Sequence, residues 1–176
     1  NVQEDQVQAM VSPPGRRGTN FDAPEVNQAL GLGPEFDAEP GIYDAGATWM
    51  VVRVDSTETL ETLRPAMGAI ESISDQLGLT GITVYAVSED DSIHTRSFAP
   101  ATGIPEDPVC GSGNLCVAGH ARDTGVAEQL GGSWTAYQGQ SMQRDGRIQI
   151  DLEDDYVTFG GPSVIRLEGK ITPGSR

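Results

Sequence analysis

From Thr48 onward, apolar and polar positions alternate in ways that predict discrete elements. "TWMVVRVDS" is a β-branched run and reads as a strand. In "STETLETLRP", Ser56 or Thr57 can cap a helix whose first turn is acidic, and Pro65 stops it. "MGAIESISDQLGL" predicts a second helix ending at Gly78. "GITVYAVS" and "IHTRSFAP" are strands joined by the turn "EDDS", hence a hairpin. A helix over about 112–122 follows, closed by "DTG". Its residues Leu115, Cys116, Val117 and Ala118, with small neighbours, suit a buried central helix. "GSWTAYQGQ", "RIQIDLE", "DYVTFG" and "PSVIRLEGKI" then read as four short strands separated by turn residues. No βαβ alternation supports a parallel sheet. The order predicts an α+β domain, a mostly antiparallel sheet wrapped around the helix at 112–122.

Residues 1–45 differ. They lack sustained periodicity, and "SPPGRRG" reads as a turn or flexible loop. A short helix fits at 24–31, with Pro24 in its first turn and Gly31 at its end. "GPEFDAEPG" reads as a connection. The sequence therefore divides into 1–45 and a domain at 46–176.

The 176 residues carry a net charge of −15, from 26 acidic against 11 basic side chains, and Lys170 is the only lysine. That balance argues against nucleic acid or an anionic membrane as a partner. No apolar run approaches the length needed to span a bilayer, and no charged-then-apolar leader is present. Cys110 and Cys116 have no cluster of further Cys or His around them, so no zinc site is expected, and their spacing across a helix start suits a disulfide poorly. Reduced thiols point to a cytoplasmic protein.

The candidate chemistry lies in "PEDPVCGSGNLCVAGHARD", residues 105–123. Asp107 precedes a proline and must be extended or in a turn. Gly111 and Gly113 let backbone approach a ligand. The amides of Gly111, Ser112 and Gly113 would face out of the helix start, a seat for a carboxylate, and a thiol there would have its pKa lowered. A purely structural turn is the competing reading. Arg96 can pair with Glu106 or Asp107 and position the turn. His94, His120 and Cys116 read as structural or core residues, "DLEDD" at 151–155 as solvated charge, and Trp49 and Trp134 as sheet residues.

The stretch "RSFAPATGIPEDPVCGSGN" resembles the PhzF-like phenazine-biosynthesis family, whose second domain carries R-x-F-A-P…G-x-x-E-D-P-x-T-G-S-A. Arg96, Phe98, Ala99, Pro100, Glu106, Asp107, Pro108, Gly111 and Ser112 match. "YQGQSMQRDGRIQI" is similar to the family's Q-G-x-x-x-x-R segment through Gln138, Gly139 and Arg144, "GGPSVIRLEGKI" to its closing strand, and "TWMVVRVDSTETLETLRP" to its opening strand and helix. The resemblance spans about residues 40–172. It implies one half of a diaminopimelate-epimerase-like fold, two similar α+β domains facing across a cleft. It also implies isomerase or epimerase chemistry by proton transfer on a small carboxylate-bearing substrate, without metal or organic cofactor. Asp107 would be the cleft carboxylate that binds or protonates substrate. Gly111 and Ser112 would hold the substrate carboxylate, with the Ser112 hydroxyl as a further donor.

Two departures stand out. Cys110 replaces the family's Thr. "CGSG" there is similar to the epimerases and proline racemases of the same superfamily, which use such a cysteine as acid or base, so Cys110 is either catalytic or a replacement without a catalytic role. The first domain of the family supplies a catalytic glutamate and an A-G-H-P loop, and this sequence contains neither. The resemblance therefore covers the second half only, and it implies that residues 1–45 are the end of a first domain plus the interdomain connection. The acid/base partner is expected from a first domain or a partner chain, and an open half-cleft should self-associate into a homo-oligomer. The alternative is a non-catalytic domain that keeps the fold for ligand binding or dimerisation.

Overall fold

Strands buried on both faces read as nearly continuous apolar runs, because alternate side chains enter two different cores. The computed structural model describes residues 5–18, 21–33, 36, 38, 40–164 and 166–170, and shows this arrangement at its centre. In β4 (Thr48–Arg53), Trp49 and Val51 enter one core while Met50 and Val52 enter the other. β5 (Gly81–Val87) sends Ile82, Val84 and Ala86 one way and Tyr85 the other, and β6 (Ile93–Ala99) does likewise with Phe98 against Ile93 and Ala99.

One core lies under α1 (Ala23–Leu30), α2 (Thr57–Thr62) and α3 (Met67–Leu77). The expected caps are in place. Ser56 accepts the Thr59 amide at 3.1 Å, and Gly31 and Gly78 end α1 and α3 in the left-handed region. The other core surrounds α4 (Gly111–Asp123), in which every residue from Gly113 to Ala121 is buried. α5 (Val126–Gln129) follows it directly.

The described residues form ten strands in one sheet. β1 (Asp5–Val11), β2 (Gly15–Arg16), β3 (Gly41–Asp44), β7 (Ile104–Asp107), β8 (Ser133–Gln138), β9 (Gly146–Leu152) and β10 (Val157–Ser163) complete the set. Their order is β1-β10-β9-β8-β6-β5-β4-β3-β2, with β7 paired to β6 beside the main path. The sheet curls so that α4 packs against β2, β3, β4 and β5 on one side and β9 and β10 on the other. The α+β class with a mostly antiparallel sheet around a central helix is the observed one.

Three details differ from the sequence reading. First, the sheet contains two parallel pairs, β4 with β5 and β6 with β8. α2 and α3 form one crossover, and α4 with α5 forms the other. The expectation of no βαβ unit failed because two helices, rather than one, stand between β4 and β5, and because β7 interrupts the path from β6 to α4. Second, "DQVQAMV" is a strand in register with β10. Its apolar alternation of Val7, Ala9 and Val11 is diluted by glutamines, and only Val11 packs against the core. β2 and β3 likewise join the sheet, and α1 contributes Val26, Ala29 and Leu30 to the core. Third, no strand runs beyond Ser163 among the described residues, and Ile165 and Ile171 of the expected final strand lie outside them. Pro34, Glu35, Asp37 and Glu39 of the expected connection also lie outside them.

Because the two cores share the same strands, they should unfold together. Ile70→Ala, at a fully buried site on α3, should cost about 2–5 kcal/mol in chemical denaturation. The transition should remain single when followed by Trp fluorescence and far-UV circular dichroism. Two separated transitions would show that the faces fold independently.

Candidate functional site

The turn from Asp107 to Cys110 joins β7 to α4. Asp107 Oδ1 accepts the Val109 amide at 2.9 Å, so the carboxylate closes a local turn around Pro108. Cys110 is the N-cap of α4. Its backbone is extended, and Sγ accepts the Gly113 amide at 3.3 Å. The helix start is thus capped by sulfur where an oxygen is usual. The Cys110 carbonyl accepts the Asn114 amide at 3.1 Å and Asn114 Nδ2 at 2.8 Å.

Two of the three expected amides remain for a ligand. Among the described residues, none accepts from the Gly111 or Ser112 N–H, and both residues are half-buried at the surface. Gly113 is different. Its amide is directed at Cys110 Sγ, and the residue is buried so tightly that a Cβ would stand 2.7 Å from Thr83 Oγ1. Gly113 therefore serves packing and capping. The Ser112 hydroxyl accepts Trp49 Nε1–H at 3.0 Å, which fixes its position and leaves its own proton to donate; Cys110 Sγ is 3.8 Å away.

The Cys110 thiol behaves unlike the expectation for a helix N-terminus. Burial pushes the Cys110 pKa up, and the opposing contacts from the Gly113 amide and the Ser112 hydroxyl do not cancel it. Asp107 adds to the upward shift. At neutral pH Cys110 is a neutral thiol. The Gly113 amide at the helix end does pull the pKa down, but Cys110 is 5% exposed and its burial outweighs that pull. Cys116 is a core residue, as its spacing suggested. Burial pushes its pKa up to about 12, and its Sγ donates to the Tyr43 carbonyl.

Arg96 does pair with Glu106. Nε and one Nη each meet a carboxylate oxygen at 2.9 Å, while the other Nη reaches the Leu60 carbonyl at 3.1 Å beside the end of α2. Ser141 donates to the same Glu106 at 2.6 Å. Partial burial works to raise the Glu106 pKa, but the hydrogen bonds from Arg96 and Ser141 outweigh it and hold the carboxyl below its usual range. His94 rests against the Tyr137 ring, and His120 is buried with Nδ1 3.0 Å from the Tyr85 hydroxyl. Among the described residues, no three His, Cys, Asp or Glu side chains are grouped to hold a metal ion. No described helix is long and apolar enough to cross a membrane.

Gln138 matches the Q-G-x-x-x-x-R segment in the sequence, with no role assigned to it. It is fully buried at the end of β8 and bonds to both ends of the turn. The signal was available in "SWTAYQ", where period two places Gln138 on the inward face with Trp134 and Ala136. Trp49 and Asn114 were also missed as supports of the turn, and no local pattern marks them.

Comparison with known proteins bears on the family and the fold. A family model described as "Phenazine biosynthesis-like protein" matches residues 2–169. An "uncharacterized isomerase" of Deinococcus radiodurans is 30% identical over 161 residues, covering 85% of this chain and 52% of that protein. "Antisense-enhancing sequence 1" of Schizosaccharomyces pombe is 27% identical over 157 residues, covering 83% and 52%. The chain spans about half the length of the curated relatives it matches. Among solved structures, a PhzF-family protein of Bacillus anthracis superposes with a TM-score of 0.75 at 18% identity, covering 94% of this chain and 62% of that one. A "predicted epimerase" of Pseudomonas aeruginosa gives 0.72 at 21%, covering 96% and 59%. These two likenesses show the fold.

The Glu106 pair has a pH signature. A carboxyl with a depressed folded-state pKa contributes stability above its unfolded value and loses it as pH falls through the folded value. Urea midpoints of the native chain should therefore fall with acid more steeply than those of Glu106→Gln below the ordinary carboxylate range. Equal slopes would show that the pair contributes nothing net.

Proposed function

Because the chain belongs to the phenazine biosynthesis-like family, we propose that it forms one half of an isomerase or epimerase that moves a proton on a small carboxylate-bearing substrate without metal or organic cofactor. The observation that carries this reading is the pair of outward amides, Gly111 and Ser112, at the start of a thirteen-residue helix whose next two amides, of Gly113 and Asn114, are bound to Cys110. Two N–H groups and the positive end of the helix suit a carboxylate, and the Ser112 hydroxyl adds a third donor. A carboxylate held there would lie beside the turn that carries Asp107 and Cys110.

The two groups have different parts in this reading. Cys110 rests neutral, so it delivers a proton and does not wait as a base. Asp107, half-buried at the turn, binds the substrate or relays its proton. The opposing acid/base group comes from a mate facing the turn, either a first domain or a partner chain. Val109 and Ile104, 47% and 43% exposed beside the turn, support such a covering, as do exposed Val7 and Met10 on β1. An isolated chain would then self-associate, and a monodisperse monomer in light scattering would count against that part.

Titration of ¹⁵N-labelled protein with sodium propionate tests the carboxylate seat, with propionamide at matched ionic strength as the neutral control. The Gly111 and Ser112 amides should shift saturably with propionate alone, and Gly113 should stay in place. An equal response to propionamide, or none to either, would sink the reading. Cys110→Ser should keep the response, since a hydroxyl caps a helix as well as a thiol does. Its loss would make the thiol itself the anion contact.

A further inference from the structure

Asp107 to Cys110 has the length of a four-residue turn, in which the first carbonyl would ordinarily accept from the fourth amide. That bond is replaced. The Asp107 carbonyl accepts Gln138 Nε2 at 2.7 Å, and the Cys110 amide donates to Gln138 Oε1 at 3.1 Å. One side-chain carboxamide, geometrically a peptide group, is inserted between the two ends of the turn. The same Oε1 also accepts Asn114 Nδ2 at 2.7 Å and Thr95 Oγ1 at 3.1 Å. Gln138 thereby links β8, β7, β6 and the first turn of α4, with the whole side chain out of solvent.

The backbone after Gln138 closes on the turn from outside. Gly139 has φ +96°, and a Cβ there would lie 2.6 Å from the Pro108 carbonyl oxygen. A Cβ at Gly146, at the start of β9, would lie 2.5 Å from Val109 Cγ2. Glycines at these two places let the β8–β9 connection press against Pro108 and Val109. No other side chain supplies a donor and an acceptor on one plane at this length. Glutamate when ionised only accepts, methionine offers neither, and asparagine is one methylene short.

The geometry points to Gln138 as a positioning residue: its carboxamide, inserted in the Asp107–Cys110 turn, sets the direction in which the Gly111 and Ser112 amides face, and so sets their affinity for a carboxylate. The link to affinity rests on the reading of the turn as a carboxylate seat. The insertion itself does not.

Two substitutions and two readouts separate these points. Without ligand, Gln138→Met should speed hydrogen exchange of the Cys110 amide by about tenfold or more, the worth of one buried hydrogen bond, and move the Gly111 and Ser112 amide resonances. With propionate, its saturable shifts should weaken by about tenfold or more, the worth of a hydrogen bond to a charged group. Gln138→Glu covers the case in which Gln138→Met does not fold. Its carboxyl, buried and with a raised pKa, donates to the Asp107 carbonyl only while protonated. Its propionate response should match the native chain at low pH and be lost as pH rises through the titration of the introduced group, while the native chain keeps its response over that range. A purely structural role would change melting temperature without this pH profile. A folded variant with native Cys110 exchange, or Gln138→Glu with native response at every pH, would overturn the inference. Perturbed exchange in the variants with a native chain silent to propionate would leave the insertion standing and bring down the carboxylate seat instead.

Discussion

Burying a helix on every side is the constraint from which the rest of this structure follows. α4 has no solvent face between Gly113 and Ala121. The sheet must therefore curl around it, and the helix must be thin. Gly119 lies against the Tyr43 ring, where a Cβ would stand 2.9 Å from Cδ1, and Ala118 and Ala121 are fully enclosed. Such a helix also cannot leave its terminal groups to water. Cys110 and Asn114 bind the N-terminal end internally, and the Thr124 amide and hydroxyl both return to the His120 carbonyl at the other. The first two amides are the exception, and their residues, Gly111 and Ser112, are half-buried.

The same constraint accounts for the buried polar layer beneath the turn. Thr83, Thr95, Ser97, Asn114 and Gln138 are buried yet bonded to one another or to backbone, as unpaired groups in such a place would each cost about 1–3 kcal/mol. Packed hydrocarbon would hold the turn loosely, whereas directional bonds fix its orientation. The opposite face of β6 has a second fixed element, Arg96, which ties Glu106 of β7 to the end of α2. The motif is braced from both sides of one strand, with Thr95 and Ser97 below and Arg96 above.

Much of this was legible in the residues. Capping chemistry marked α1, α2 and α3 to within a residue or so, and the β5–β6 hairpin followed from its turn. A pairing of Arg96 with Glu106 or Asp107 was foreseen, and Glu106 is the partner; the place of Cys116 in the core followed from its spacing. What stayed hidden depends on distance along the chain. Parallel pairing of β6 with β8 arises from a crossover and leaves no local trace. The Cys110 pKa was misjudged because a helix end is a local feature and burial is not. Gln138 meets the turn only once β8 is docked, so period two could mark it as inward-facing but could not name its partners.

The pairing of β1 with β10 orders events during synthesis. β1 leaves the ribosome first among the described strands and has no other partner in the sheet, while β10 leaves last. At about 5–20 residues per second, β1 remains unpaired for on the order of ten seconds. The glutamines that blur its pattern make that wait more tolerable, since they and Asp5 interrupt the apolar positions of "DQVQAMV". A strand of β5's composition in the same position would be a hazard for aggregation. The weakness of β1 as a sequence signal and its safety as a waiting edge have one cause.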